Sequence, residues 1–442
     1  MKTKLGKIWE SLHNSFWFVP LLMVLSAIAL AYIMLSLDHG DKDWLQGLPL
    51  TYSRGPEGAR EVLSTVAGSM VSVATTAFSI VIVALQLASG QFGPRLIGNF
   101  MRDTGNQIVL GTFISTFVYC LLILRTVNSI DDDEFVPHLS VAFSIVLAIF
   151  GVAVLIYFLH HVATSIQAQQ VIANVGTKLS ETIERLFPQK VGRSTAKDKQ
   201  EIKNTDIPDN FEEEASSIRS DKSGYIQAID NEELIEIAAK FDVIVRLNYR
   251  PGDYVVQGNN LVSVWHGQQM NRKLAKKLKG IFIIDNQRSP QQDLEFSINQ
   301  LVEIAVRALS TGVNDPFTAN RCIDQLSAAL CHFAQKEIPS RYRYDENKKL
   351  RVIAEPTTFA SVVDTAFNQI RQAGQTDVAV TIRLLEAIAR IAQYTTTKEQ
   401  RAALLRHAQM IERGSHEGIS EELDKKDVQE RYFAVLKLLK AQ

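Results

Sequence analysis

Apolar residues are unevenly distributed along this 442-residue chain. The first 162 residues hold four long apolar runs, whereas from Gln167 onward polar and apolar residues alternate as they do in soluble proteins. Each run is long enough to cross a hydrocarbon layer as a helix. The pattern therefore predicts a four-helix transmembrane domain over residues 1–162, with spans at Phe16–Leu37, Val62–Ala88, Ile108–Leu124 and Leu139–Leu159.

The second run has 27 residues without a charge, and its polar residues recur every three or four positions. This spacing places them on one helical face. Small and hydroxyl residues at this spacing allow close contact between membrane helices, so one interpretation is a helix–helix interface. The other is a pore lining, because hydroxyl groups also suit water and partly dehydrated ions. This hydroxyl stripe consists of Thr65, Ser69, Ser72, Thr76 and Ser79.

A polar elbow is expected where the second run ends and the chain turns toward the third. It holds two glutamines, a bend at Pro94 and two arginines, so it is more than a minimal turn. We expect this elbow to lie at the boundary between membrane and cytoplasm. Its residues are Gln86, Gln91, Pro94, Arg95 and Arg102.

Loop charges orient the spans. Three lysines precede the first span, and the elbow carries two arginines. The loop before the fourth span contains Asp131, Asp132, Asp133 and Glu134 without a Lys or Arg. Because positively charged loops stay in the cytoplasm, both termini are predicted to be cytoplasmic.

Four further regions follow the spans. A helical stalk is predicted over 163–188, with an apolar stripe available to symmetry mates, and a polar, mobile linker over 189–223. Alternating β-formers predict a small β module over 224–285. Helical periodicity predicts a helical domain over 286–442, with a β-hairpin near 341–355 and a first helix from Ser289 to Leu309.

A turn inside this helical domain is the candidate site outside the membrane. Gly312 suits a left-handed helix end, Asp315 supplies a capping side chain, and Pro316 suits the first helical position. Asn314 completes the turn. The simple interpretation is a turn and cap, and the alternative is a ligand or protein contact.

Composition excludes several functions. A net charge of −1 gives no indication of nucleic acid binding, and three cysteines form no disulfide or metal-binding pattern. Phosphate-binding and hydrolase motifs are absent, and the carboxylates Asp293, Glu295 and Glu303 are expected to be solvated. We therefore predict a protein that is not an enzyme and has no metal or cofactor.

Two resemblances add to this picture. The segment VRLNYRPGDYVVQGNNLVSVW resembles a half-motif of biotinyl/lipoyl-like barrel-sandwich domains, but no lysine occupies a comparable hairpin tip. That resemblance implies the β shape without the prosthetic group. Four segments carry a second resemblance: FSIVIVALQLASGQFGPRLIGNFMRD, GTFISTFVYCLLILRTV, VRLNYRPGDYVVQGNNLVSVW and DLEFSINQLVEIAVRALSTGVNDPFTA. In these segments the chain resembles a bacterial family of membrane proteins known as domain of unknown function 2254, with Thr311 standing where the family has proline.

The family resemblance implies a multi-pass protein of the bacterial inner membrane, in contact with the lipid bilayer, and leaves its activity open. We expect a homo-oligomeric passive channel or pore for ions with a cytoplasmic regulatory domain. Four spans enclose no wide path alone, and no span carries the buried Asp, Glu or Lys of a proton-coupled carrier. The alternative is a membrane-anchored sensor or scaffold whose cytoplasmic domain binds a ligand or protein.

Overall fold

The computed structural model describes residues 17–39, 55–93, 103–127, 135–188, 207–208, 210–265 and 271–440. The chain divides into two compact units, the first ending at Gln170 and the second beginning at Val171. The predicted fold class is confirmed: four apolar helices long enough to cross a membrane are followed by a region of small β sheets and helices.

The first unit is built from four long helices, of which the third is the most buried. This helix packs against each of the other three, and its side chains Phe113, Tyr119 and Cys120 are fully enclosed. The second helix extends beyond the predicted span at both ends. The bounds are α1 Phe18–Asp38, α2 Pro56–Phe92, α3 Thr104–Leu124 and α4 His138–Ser165.

A buried carboxylate joins the first and fourth helices. Asp38, the last residue of α1, accepts hydrogen bonds from the Leu139 and Ser140 backbone N–H groups at 2.9 and 3.0 Å, and from the Ser140 hydroxyl at 2.6 Å. It thereby caps the start of α4, whose first N–H groups lack partners within the helix. The predicted first span ends at Leu37, whereas the helix includes Asp38, which this tertiary contact buries.

Helix α5, Ala168–Leu186, is separate from α4 and belongs to the second unit from Val171 onward. Its apolar side chains, including Val175 and Leu179, are buried within this unit. Phe187, next after the helix, makes an edge-to-face contact with Phe333 at 5.0 Å. The apolar stripe expected to be open to symmetry mates is therefore covered by the same chain.

Two small sheets follow. The five-stranded sheet has the order β1-β5-β3-β8-β7 and the three-stranded sheet has the order β4-β2-β6. The pairs are antiparallel except β3 with β8. The strands are β1 Ser216–Arg219, β2 Gly224–Ile229, β3 Ile244–Leu247, β4 Tyr254–Val255, β5 Asn260–Trp265, β6 Phe282–Asp285, β7 Tyr342–Tyr344 and β8 Leu350–Ile353.

This arrangement differs from the predicted module in three ways. Strand β1 lies inside the residues predicted as a linker, and a short helix, α6 Phe211–Glu214, precedes it. The predicted hairpin forms as β7 and β8 but extends the five-stranded sheet, because β8 pairs with β3. Two helices, α7 Asn231–Lys240 and α8 Arg272–Gly280, pack on the β core, so the module is not purely β.

Six helices complete the second unit. The first begins at Leu294 rather than Ser289, because Asp293 accepts from the Phe296 N–H at 3.0 Å and caps it. Asp293 is buried and bonded to Arg288, so its expected solvation is wrong. The helices are α9 Leu294–Ala308, α10 Pro316–Ala334, α11 Phe359–Ala373, α12 Val378–Ala392, α13 Lys398–Gly418 and α14 Glu422–Lys440.

The Pro-Gly-Asp turn of the barrel-sandwich half-motif packs against this buried cap. Gly252 has a φ of +98°, and a Cβ added there would lie 2.5 Å from the Asp293 carboxylate. Arg250 at the same turn bonds Glu295 at 2.9 Å. The turn therefore joins the β core to α9, which is a structural role for a motif that resembled a prosthetic-group domain.

Candidate functional site

The hydroxyl stripe of α2 lies on the outer surface of the four-helix unit. All five side chains are exposed, whereas the opposite face, with Leu63, Ala67 and Ala74, is packed against α3 and α4. At about 100° per residue, the five positions fall within an arc of about 80°, centred almost opposite the packed face. Helix packing inside one chain therefore leaves the stripe uncovered. The stripe residues are Thr65, Ser69, Ser72, Thr76 and Ser79.

Most hydroxyl protons on this face are held by the helix itself. Ser69 donates to the Thr65 carbonyl at 2.7 Å, Thr76 to the Ser72 carbonyl at 2.9 Å, and Ser79 to the Thr75 carbonyl at 2.9 Å. Because these hydroxyls donate to carbonyls of their own helix, they need no hydrogen-bond acceptor from the lipid. The oxygen lone pairs remain directed outward, where they can accept from water or lie near a cation.

Toward the end of α2, the exposed face that continues the stripe carries both polar and apolar side chains. Gln86 and Gln91, expected in the elbow, are helical and exposed, and the helix ends only at Phe92 with Gly93 as its cap. From Thr65 to Gln86 the rise is about 32 Å, close to the thickness of a hydrocarbon core. Val83 and Leu87 lie on the same exposed side.

The remaining elbow residues, Pro94, Arg95 and Arg102, lie outside the described residues. The predicted acidic loop at 131–134 does so too. The elbow begins later in the chain than expected. An apolar run interrupted by glutamine stays helical, because Gln has a good helix propensity. The turn starts at Gly93, whose φ of +104° suits glycine.

The interior of the four-helix unit is filled. Phe113 from α3 and Phe158 from α4 are completely buried among apolar neighbours. Near them, Asp103 caps α3 and lies 3.0 Å from His161 Nε2 of α4. These contacts brace the helices, and a packed centre leaves no wide path along the axis of one copy.

The second unit has a groove between α10 and α12 with a volume of about 630 Å³. Arg390 donates to Asp324 at 2.8 Å, and Arg383 lies 3.7 Å from the same carboxylate. Arg383 also lies 3.4 Å from Glu386, so the two guanidinium groups of this cluster are paired with two carboxylates. Its other polar residues include Ser327, Cys331, His332, Gln335, Gln393 and Tyr394.

Sequence reasoning missed this groove. The available signal was the seven-residue spacing of Arg383 and Arg390 within a largely apolar helix, which places both on one face. On the opposite wall, burial raises the pKa of the Cys331 thiol, although the nearby Arg390 guanidinium acts in the other direction. Burial therefore disfavours the thiolate form of Cys331.

The turn at the start of α10 forms as a cap. Asp315 accepts from the Thr318 backbone N–H at 3.1 Å and from its hydroxyl at 2.6 Å, and these bonds hold the pKa of Asp315 below its usual value. Pro316 is the first helical residue. The left-handed residue is Asn314, with a φ of +48°, so the expectation for Gly312 is wrong. Asparagine tolerates this conformation because its short amide bonds locally.

The four helices and the large second unit define a multi-pass membrane protein with a substantial region of α+β structure. The chain belongs to the family described as predicted membrane protein (DUF2254), whose profile matches residues 13–390. An uncharacterized protein of Mycobacterium bovis, Mb1321c, is 30% identical over 432 residues, covering 95% of this chain and 79% of that protein. The uncharacterized proteins Rv1290c and MT1328 of Mycobacterium tuberculosis show the same identity and coverage. No solved structure matches the chain significantly.

Proposed function

We propose that this protein is a homo-oligomeric passive ion pathway of the bacterial inner membrane, with both termini in the cytoplasm and the second unit as its regulatory region. The observation that supports this proposal is the exposed polar face of α2, directed away from the packed face of the same helix. Copies arranged around an axis would bring these faces together and enclose a hydroxyl-lined path.

The packing of the first unit favours a path between copies over a path through one copy. Its centre is occupied by Phe113 and Phe158, and two of its described carboxylates, Asp38 and Asp103, cap helices. Asp103 also lies 3.0 Å from His161, which braces α3 against α4. A proton-coupled carrier needs an ionisable group that is free to exchange protons with its cargo. The structural contacts of these groups support passive conduction over proton coupling.

Ion flux through full-length protein in liposomes tests the proposal. The variant Ser72→Leu, Thr76→Leu places apolar bulk on the polar face, and we expect it to lower flux about tenfold or more by removing oxygen ligands. The matched control is Val71→Leu, because Val71 is also exposed but lies beside the stripe. Absence of flux from the wild-type protein, or an equal loss in both variants, would contradict a pathway lined by this face.

The groove in the second unit supports the alternative, a membrane-anchored sensor. Its volume of about 630 Å³ suits a small molecule, and its arginines, although paired with Asp324 and Glu386, are the groups that would bind an anionic one. Thermal shifts of the full-length protein with a panel of phosphorylated and carboxylate metabolites test this function. A shift produced by wild type and lost in Arg390→Gln supports sensing, and no shift with any anion counts against it.

A further inference from the structure

Helix α8 carries an unusual charge pattern. Its sequence, RKLAKKLKG, contains five cationic residues and no acid, in a chain whose net charge is −1. Leu274 and Leu278 are buried in the β core and fix which side of the helix faces outward. At about 100° per residue, Lys276 lies opposite these leucines, with the other cations to either side.

Most of these charges are unneutralised. Lys279 pairs with Asp221, whereas Arg272, Lys273, Lys276 and Lys277 have no ion pair with any residue that the structure describes. Four cations on one short helix repel one another. Their retention on a single exposed face indicates that this face meets negative charge outside the chain.

Two of these cations lie at the end of α8 where positive charge is least favourable. Arg272 and Lys273 stand in the first turn of α8, where the helix dipole disfavours positive charge and no acidic residue compensates. Helix α7 of the same region follows the favourable pattern, with Glu232 and Glu233 in its first turn and Lys240 in its last. The two first-turn charges of α8 thus work against its stability, whereas Lys277 and Lys279 suit its last turn, and such a local conflict is typical of functional surfaces.

We propose that the outer face of α8 binds anionic lipid headgroups of the membrane that the protein occupies. The chain has four candidate spans, so α8 is covalently linked to a membrane-embedded unit, and binding of its outer face to the same bilayer is effectively intramolecular. Clustered Lys and Arg residues beside a membrane are attracted to anionic lipid over about one Debye length. This binding is independent of whether the protein conducts ions.

Because the spans already hold the chain in a bilayer, simple vesicle binding does not report on α8, and lysine reactivity is the suitable measurement. Full-length protein is placed in nanodiscs of phosphatidylcholine alone or with phosphatidylglycerol. It is then treated with an uncharged acetylating reagent and read by mass spectrometry. Lys240 and Lys398 are internal controls, because both are exposed on other helices.

We expect acetylation of Lys273 and Lys276 to slow by about fivefold in the anionic nanodiscs and to recover in high salt, while both controls change little. In the variant Lys273→Glu, Lys276→Glu, protection of Lys277 should disappear. The variant suits the helix dipole better, so α8 is expected to remain folded. Equal reactivity in both lipids overturns the proposal, as does protection that appears only when RNA or an acidic protein is added.

Discussion

Helices α2 and α5 both carry a stripe that the sequence indicates as a contact surface, and the structure treats them oppositely. The apolar stripe of α5 is covered within the second unit, where Leu179 is fully buried and Lys336 bonds Glu184 at 2.8 Å. The hydroxyl stripe of α2 stays exposed while the alanine-rich face of the same helix is packed.

The difference follows from what surrounds each helix. Burying an apolar stripe that would otherwise face water lowers the free energy of the folded chain. Other elements of the same chain therefore pack over it. A hydroxyl stripe in lipid gains little from burial inside its own bundle, because its protons already bond to helix carbonyls. A stripe in the sequence is therefore a more reliable indication of burial for a helix surrounded by water than for a helix surrounded by lipid.

Truncating the covered stripe should have the largest effect. Leu179→Ala removes a fully buried side chain, and we expect the second unit to lose about 3 kcal/mol of its free energy of unfolding. Ser72→Ala on the open stripe should change the stability of a single copy by less than about 0.5 kcal/mol. Hydrogen exchange of the full-length protein in nanodiscs measures the stability change in both variants. Equal losses of stability would contradict the difference between the two stripes.

The buried cap between α1 and α4 should have the next largest effect. Asp38→Ala leaves the Leu139 and Ser140 N–H groups without their acceptor, at an expected cost of about 1–2 kcal/mol. Thermal unfolding in detergent measures this loss. Asp38→Asn is the matched variant, because its amide oxygen still accepts a hydrogen bond and should recover part of the stability.

A smaller, pH-dependent effect is expected in the second unit. Burial lowers the pKa of His407, whose Nε2 lies 2.7 Å from Asp364, while its Nδ1 is buried without a partner among the described residues. The unfolded chain therefore binds a proton at a higher pH than the folded chain does. The contribution of neutral His407 to the free energy of unfolding is present above about pH 6.5. It is lost as the pH falls toward the lowered pKa.

Hydrogen exchange in α13 measured between about pH 7 and pH 5 should reveal this loss after correction for the intrinsic exchange rate. The variant His407→Gln should flatten the dependence, whereas His416→Gln should preserve it, because His416 is half exposed on the same helix. A pH dependence unaltered in His407→Gln would assign the effect to another group.

The four spans were predictable because long uncharged runs have few structural alternatives in a membrane protein. The cap at Asp38 was not, because it depends on a residue distant in sequence, Ser140. Strand β1 was missed because Ser216–Arg219 is short and flanked by polar residues, and only its pairing with β5 stabilises it. Helix α8 did offer a signal: Asn271 as cap and leucines four residues apart.

The candidate site was also partly predictable from the sequence. Helical periodicity alone places Ser69, Ser72 and Thr76 on one face, and the capping preference of Asp before a first-turn Pro predicts Asp315 as a cap. Periodicity does not reveal which face is packed, and the groove lined by Arg390 requires two helices to be brought together. Those features depend on tertiary contacts.

Disulfide cross-linking in native membranes tests most directly whether the open face of α2 is the contact between copies. Single cysteines replace Ser72, Ser79 or, as the control, Val71, in a chain whose three native cysteines are changed to alanine or serine. We expect Ser72→Cys and Ser79→Cys to form dimers or larger species under mild oxidation, while Val71→Cys stays monomeric. Monomer at both stripe positions, or equal cross-linking at Val71, would contradict the account.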